Sequence, residues 1–343
     1  MDILIFDMDG VLIDVSRSYR ETIQRTVQIY LETCLAFEKG KREAVTKEDI
    51  SLFKSAGGFN NDWDLTSGLL LYLLSISGFP PFHRRPNFSS VAEVVNHLKI
   101  GSFSLSKNIT QLIQKKNLLP FIRKVRLGGG GLKGVRKVLK GSFEGWVYGD
   151  GDLNQTNVVK RIFQEVYLGR KFTSSYHLPA LFHKNQGLYL REKLIISNGI
   201  LSTLRKRCRL GIASGRPRFE AELALKRFGL LPYFDSVVTL DDCLEEEERI
   251  LRSTGKRVNL LKPHPYSLLK VVREIGIPHP QCTYVGDVVD DMLAARAARK
   301  DLDILAIGFL HGEKKDKAKE NSLFKAGADL IVKNTPDLLR VLT

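Results

Sequence analysis

One buried strand at the start of the chain, followed by about 200 residues with no second one, is the pattern that most constrains the fold. Residues 3–6 (ILIF) form a continuous apolar run that stops abruptly at the polar, glycine-containing DMDG, as a short, fully buried strand does. Runs of the same kind return only at residues 210–213, 236–239, 283–285, 304–307 and 330–332. Helical patterns separate them, at 220–228, 266–275 and 290–299. Strand alternating with helix predicts an α/β fold, a doubly wound parallel sheet covered on both faces.

The interval between the first strand and the rest carries helical spacing instead. Tyr19, Ile23, Val27, Tyr30, Leu31 and Cys34 recur at turns of a helix, and Thr46 with Asp49 reads as a capping box. Gly57 and Gly58 end the helix that follows, and further helices are expected at 62–75, 90–98 and 157–168. Residues 128–131, four glycines, are expected to be a flexible joint. The division predicted is residues 1–14 and 198–343 for the sheet domain and 15–197 for an inserted α-helical domain.

A chain of 343 residues has room for two lobes. Its four cysteines, Cys34, Cys208, Cys243 and Cys282, make no CxxC pair, which argues against a zinc site or a disulfide framework. A reducing, cytoplasmic setting is expected, since the N-terminus has neither the basic flank nor the cleavage site of a signal peptide. The apolar stretch 69–79 is too short to span a bilayer, so no membrane partner is expected. The net charge of +15 is unevenly placed: residues 15–199 hold 28 Lys and Arg against 14 Asp and Glu. Within them, residues 94–143 hold 11 basic residues and no acidic one.

Chemistry is concentrated at strand ends. Asp7 and Asp9 stand just beyond the first strand, where open parallel sheets place their ligand crevices. Asp287, Asp290 and Asp291, in YVGDVVDD, follow another buried strand through a glycine that permits a tight turn. Two acidic strand ends facing one crevice repel each other unless a cation lies between them, and hard oxygen ligands select Mg2+. Ser214 and Gly215 end the strand of LGIAS at a helix start, suited to cradling phosphate oxygens, and Lys262 in LLKPHP adds a fixed positive charge.

In this order and spacing, FDMDGVLID, IASGRPR, LLKPHP and VGDVVDD resemble the four motifs of the haloacid dehalogenase superfamily. The similarity covers the sheet domain, which the resemblance makes Rossmann-like. A helical insertion between the first and second motifs is similar to the C1 cap of subfamily I. GGFNNDWDLT, IFQEVYLG and GIASGRPR further resemble a subfamily IA-like branch with no settled substrate. The resemblance implies a phosphatase in which Asp7 attacks phosphorus to form an aspartyl-phosphate and Asp9 serves as general acid and then general base. It also implies a Mg2+ held by Asp7, the backbone carbonyl of Asp9 and Asp287, with Asp291 steadying Lys262 or a metal-bound water.

The substrate expected is a small phosphorylated metabolite, with Arg17, Tyr19, Arg20, Asn60, Asn61 and Arg216 as candidate specificity residues. A dehalogenase is disfavoured, because a leaving halide needs no proton from Asp9. A phosphomutase, which would use the same four motifs, is the alternative reading. From a different class, the basic stretch 94–143 raises nucleic-acid binding. Its sparse aromatic content makes nucleic acid the least favoured partner, behind a solvated face, a homodimer contact, and steering of an anionic metabolite.

Overall fold

Strand β1 (Ile3–Phe6) has all four side chains fully buried in the computed structural model, which describes residues 1–343 except 41, 60, 106, 313–316 and 343. The remaining strands are β2 (Ile13–Asp14), β3 (Lys193–Leu194), β4 (Arg209–Ala213), β5 (Ser236–Val238), β6 (Gln281–Gly286), β7 (Asp303–Phe309) and β8 (Leu330–Val332). Six of them form a parallel sheet in the order β5-β4-β1-β6-β7-β8, which places β1 in its middle between β4 and β6.

Alternation along β1 explains why the strand is apolar throughout. Leu4 and Phe6 join a core on one face with Leu210, Ile212, Val285 and Phe309, while Ile3 and Ile5 join a second core on the other face with Ala213, Val238, Tyr284 and Ala306. Helices cover both faces, as a doubly wound sheet requires, and each buried aliphatic side chain contributes about 1.5–3 kcal/mol of transfer free energy. The helix Tyr266–Ile275 has the bounds its sequence pattern predicts, and Val271 from it fills the space over Gly211, where a Cβ would strike it.

Contacts divide the chain into two units, Met1–Val15 with Glu192–Thr343 and Ser16–Arg191. The return point lies six residues before the expected boundary at 198. The reason is local pairing: Ile13 and Asp14 of β2 pair antiparallel with Leu194 and Lys193 of β3, Ile195 N–H donates to Leu12 O (2.9 Å), and Ile196 enters the core of the sheet unit.

The unit Ser16–Arg191 is helical. Its Tyr30 hydroxyl donates to Trp146 O (2.9 Å) and accepts from Tyr148 N–H (3.0 Å), and the ring of Tyr19 stacks on Tyr167 with centroids 4.5 Å apart. Thr46 and Asp49 form the capping box that starts the helix Lys47–Lys54. The glycine run 128–131 is not the flexible joint that composition suggested. Gly131 N–H donates to Gly57 O (2.7 Å), and a Cβ at Gly131 would strike Gly58 O, so two glycine pairs pack backbone against backbone.

Candidate active site

Register brings the motifs together. Phe6 of β1 lies level with Ile212 of β4 and Val285 of β6, so the next residue, Asp7, emerges level with Ala213 and Gly286. One residue farther on come Ser214 and Asp287. The Asp7 N–H is still held by Val285 O (2.8 Å), which fixes where its side chain starts. Gly10, at φ +80°, lets the chain turn after Asp9, and a Cβ there would strike the Asp287 carboxylate. The ends of β1 and β6 are therefore in direct contact, at the crossover point where open α/β sheets bind ligands.

Lys262 links the two carboxylate groups. Its ammonium donates to Asp7 Oδ1 (2.7 Å), Asp291 Oδ1 (2.8 Å) and the Tyr284 hydroxyl (2.6 Å), which engages all three of its N–H donors. Tyr284 in turn donates to Asp291 Oδ1 (2.7 Å), and Asp291 Oδ2 accepts the backbone N–H groups of Asp287 (3.1 Å) and Val288 (3.2 Å). Gly286 permits this fold-back, because a Cβ there would meet the Asp291 side chain. Burial pulls the Lys262 ammonium down, but the Asp291 and Asp7 carboxylates outweigh it and hold the charge firmly in place. Burial pushes the Asp7 carboxyl up to about 8 against the pull of Lys262, with Asp291, Asp287 and Asp9 adding repulsion.

Asp9, about one-third exposed at its side chain, accepts on Oδ1 from Arg216 Nε (2.6 Å). Arg216 is buried, and its Nη2 also reaches Glu192 Oε1 (3.1 Å), which is buried too. Ser214 is buried at the end of β4, its N–H donating to Val238 O (2.9 Å) and its hydroxyl accepting the Arg216 N–H (3.1 Å), while Gly215 is exposed. The structure thus groups Asp7, Lys262, Asp287 and Asp291, and joins Asp9, Ser214 and Arg216 in a second set beside the end of β1.

Two members of these networks escaped the sequence reading. Tyr284 had a visible signal, a phenol in an otherwise buried strand that must find a hydrogen-bond partner. Glu192 had none, since nothing local ties it to a residue 183 positions earlier. Asp290, by contrast, is half-buried in the first turn of the helix Val289–Ala298, and Asp291 is the one that turns inward.

The remaining candidates lie in the helical unit. Arg17 is exposed and Arg20 half-buried. Tyr19 is packed into the aromatic core. Asn61 caps the helix Asp62–Ser77, accepting the Asp64 N–H (2.7 Å) and donating to Asp64 Oδ2 (2.9 Å). Asn60 lies outside the described residues.

Comparison with known proteins gives the family. The family model for haloacid dehalogenase-like hydrolases matches residues 1–299. The chain belongs to the haloacid dehalogenase-like hydrolases. Among curated relatives, this hydrolase is similar to an imidazoleglycerol-phosphate dehydratase of Phytophthora nicotianae, 23% identical over 86% of this chain and 41% of that protein. It is also similar to the pyrophosphatase PpaX of Bacillus pumilus, 29% identical over 47% of this chain and 63% of that protein. The chain spans about half the length of these relatives. Among solved structures, the phosphatase Tt82 of Thermococcus thioreducens aligns over 94% of this chain and 99% of its own, with 24% identity and a TM-score of 0.50, a likeness of fold.

In this haloacid dehalogenase-like hydrolase the acidic cluster has the donors a hard divalent cation needs. One carboxylate oxygen from each of Asp7, Asp287 and Asp291 lies within 4.8 Å of the others. Asp291 is already occupied by four hydrogen bonds, from Lys262, Tyr284 and two backbone N–H groups, so it is the least suited of the three to a metal. Asp7 and Asp287 are the pair that would hold a Mg2+, few enough to leave room for phosphate and water around it.

Proposed function

We propose that the protein is a Mg2+-dependent phosphatase of small phosphate monoesters, with Asp7 as nucleophile and Asp9 as general acid and base. The observation that carries this reading is the placement of Asp7. It stands at the end of the central strand, with the Lys262 ammonium on Oδ1 and the Asp287 carboxylate across the Gly10 turn. In the first half-reaction a carboxylate oxygen of Asp7 bonds to phosphorus while the bond to the leaving oxygen breaks, and Asp9 passes its proton to that oxygen. In the second, Asp9 as carboxylate takes a proton from water, which attacks phosphorus and frees Asp7 with release of phosphate. Lys262, Ser214 and the adjoining backbone N–H groups hold the transferring group. Asp7, the Asp9 carbonyl and Asp287 would hold the Mg2+, which would supply charge neutralisation for carboxylates and phosphate alike. Uncatalysed monoester hydrolysis is slow enough to demand enhancements of up to ~10²¹, which is why both cations are needed.

A panel of phosphorylated metabolites, assayed with and without Mg2+, tests this proposal. It should include phosphoglycolate, sugar phosphates, amino-alcohol phosphates, pyrophosphate and imidazoleglycerol phosphate. Mg2+-dependent release of phosphate from at least one is expected, together with its complete loss in Asp7→Asn. Phosphate release that persists in Asp7→Asn overturns the nucleophile assignment.

A further inference from the structure

Arg216 and Glu192 have no role in the scheme above, yet they form a buried ion pair whose other end is the catalytic acid. The Arg216 side chain is 1% exposed and the Glu192 side chain 1% exposed. The guanidinium presents Nε to Asp9 Oδ1 at 2.6 Å, and Nη2 lies 2.6 Å from the same oxygen. Its far edge meets Glu192 through Nη2 to Oε1 (3.1 Å) and Nη1 to Oε2 (3.5 Å). The planar fork thus grips a carboxylate on two sides, a geometry a lysine cannot reproduce. The Arg216 backbone is tied as well, its N–H donating to Ser214 Oγ (3.1 Å) and its carbonyl accepting the Leu240 N–H (2.9 Å). Glu192 is anchored in turn, its carbonyl accepting from Arg227 Nη1 (3.4 Å) one residue before β3.

Burying two charged side chains is costly until pairing offsets it. A surface arginine would not need such a brace. What the brace achieves here is a fixed direction for a guanidinium whose free edge holds Asp9, the partly exposed member of the three. We propose that Arg216 is the positioning residue of Asp9 and that Glu192 fixes its aim, so that the Asp9 proton is delivered along one line. This rests on the reading of Asp9 as general acid. It replaces the expectation that Arg216 contacts substrate with a role one residue removed from it.

The test compares phenyl phosphate with p-nitrophenyl phosphate at saturating Mg2+. The two have nearly the same shape, but p-nitrophenolate leaves readily without a proton and phenolate does not. For both, kcat/KM reports the step in which the phosphorus–oxygen bond breaks. General acid catalysis contributes about 10²–10⁴-fold, so Arg216→Met is expected to lower kcat/KM for phenyl phosphate by about 10–100-fold. For p-nitrophenyl phosphate the expected loss is only a few-fold, with inhibition by inorganic phosphate unchanged. Arg216→Lys is expected to recover part of the loss, and Glu192→Gln to reproduce it in milder form. Should Arg216→Met alone fail to fold, Arg216→Met with Glu192→Gln removes both buried charges and carries the same expectation. An equal loss on both substrates with weakened phosphate inhibition overturns the proposal and makes Arg216 a ligand contact. Asp9→Asn separates the two levels. If it fails to discriminate between the substrates, the acid assignment falls and the proposal with it. If Asp9→Asn discriminates and the Arg216 variants do not, the acid assignment stands and the positioning role is overturned.

Discussion

Lys262 has three N–H donors and all three are engaged, so it can serve a phosphoryl group only by releasing a partner. Tyr284 and Asp291 are bonded to each other as well as to the lysine, which makes Asp7 the partner most readily exchanged. Burial also pushes the Asp7 carboxyl well above its ordinary range. With a folded-state value near 8 against an ordinary value near 4, it binds a proton in the folded chain across an interval where the unfolded chain has released it. The sign follows: this contribution is fully present below the unfolded value and is lost as pH rises through the folded one. In the presence of a chelator, stability relative to Asp7→Asn should therefore fall between pH 5 and pH 8, at a slope of up to about 1.4 kcal/mol per pH unit. Urea denaturation of both proteins at several pH values checks this, and parallel pH profiles would exclude it.

At the scale of elements, the site depends on two turns that bring strand ends into contact. Gly10→Ala is the sharpest probe, since the residue is at φ +80° and its new Cβ would strike Asp287. A ligand that binds only the folded state stabilises it by about 2.7 kcal/mol at a hundredfold excess over Kd. Mg2+ should accordingly raise the melting midpoint of the wild-type protein and leave that of Gly10→Ala little changed. An equal rise in both would show that the turn is not what presents Asp287. These turns were legible in sequence because the relevant signals are local: an apolar run, a glycine, and a carboxylate at fixed offset. The helix 266–275 was legible for the same reason, as was the Thr46–Asp49 box. The Glu192–Arg216–Asp9 chain was not, because it joins residues through tertiary packing alone, and β3 is two residues long, too short to leave a periodic trace. The glycine run 128–131 misled in the opposite direction. Composition shows that the backbone is free to turn there, but not that another glycine pair will close on it.

At the scale of the whole molecule, residues 15–199 carry nearly all of the net charge of +15, with 28 basic residues against 14 acidic ones, while the acidic cluster belongs to the sheet unit. A field of that sign attracts anionic substrates over a distance set by salt, about 10 Å at 0.1 M. Raising ionic strength should lower kcat/KM for a phosphate monoester several-fold and leave kcat unchanged. Steady-state kinetics across a salt series checks this, and a flat kcat/KM would return the basic face to solvent or to contact with a second copy. Among the described residues no helix is long and apolar enough to cross a membrane. The pairing of β2 with β3 bears on how such a protein can diversify. The chain leaves the sheet unit and re-enters it on neighbouring strands, so 176 residues from Ser16 to Arg191 are inserted at what amounts to a single point. Closing that point with a short glycine-serine bridge adds little loop entropy. A shortened chain joining Val15 to Glu192 should fold with the strand content of the parent sheet, as circular dichroism would show. Loss of cooperative unfolding in that chain would mean the sheet cannot stand alone. The insertion can then be exchanged as one cassette, while the strand ends that carry Asp7, Asp9 and Asp287 stay untouched.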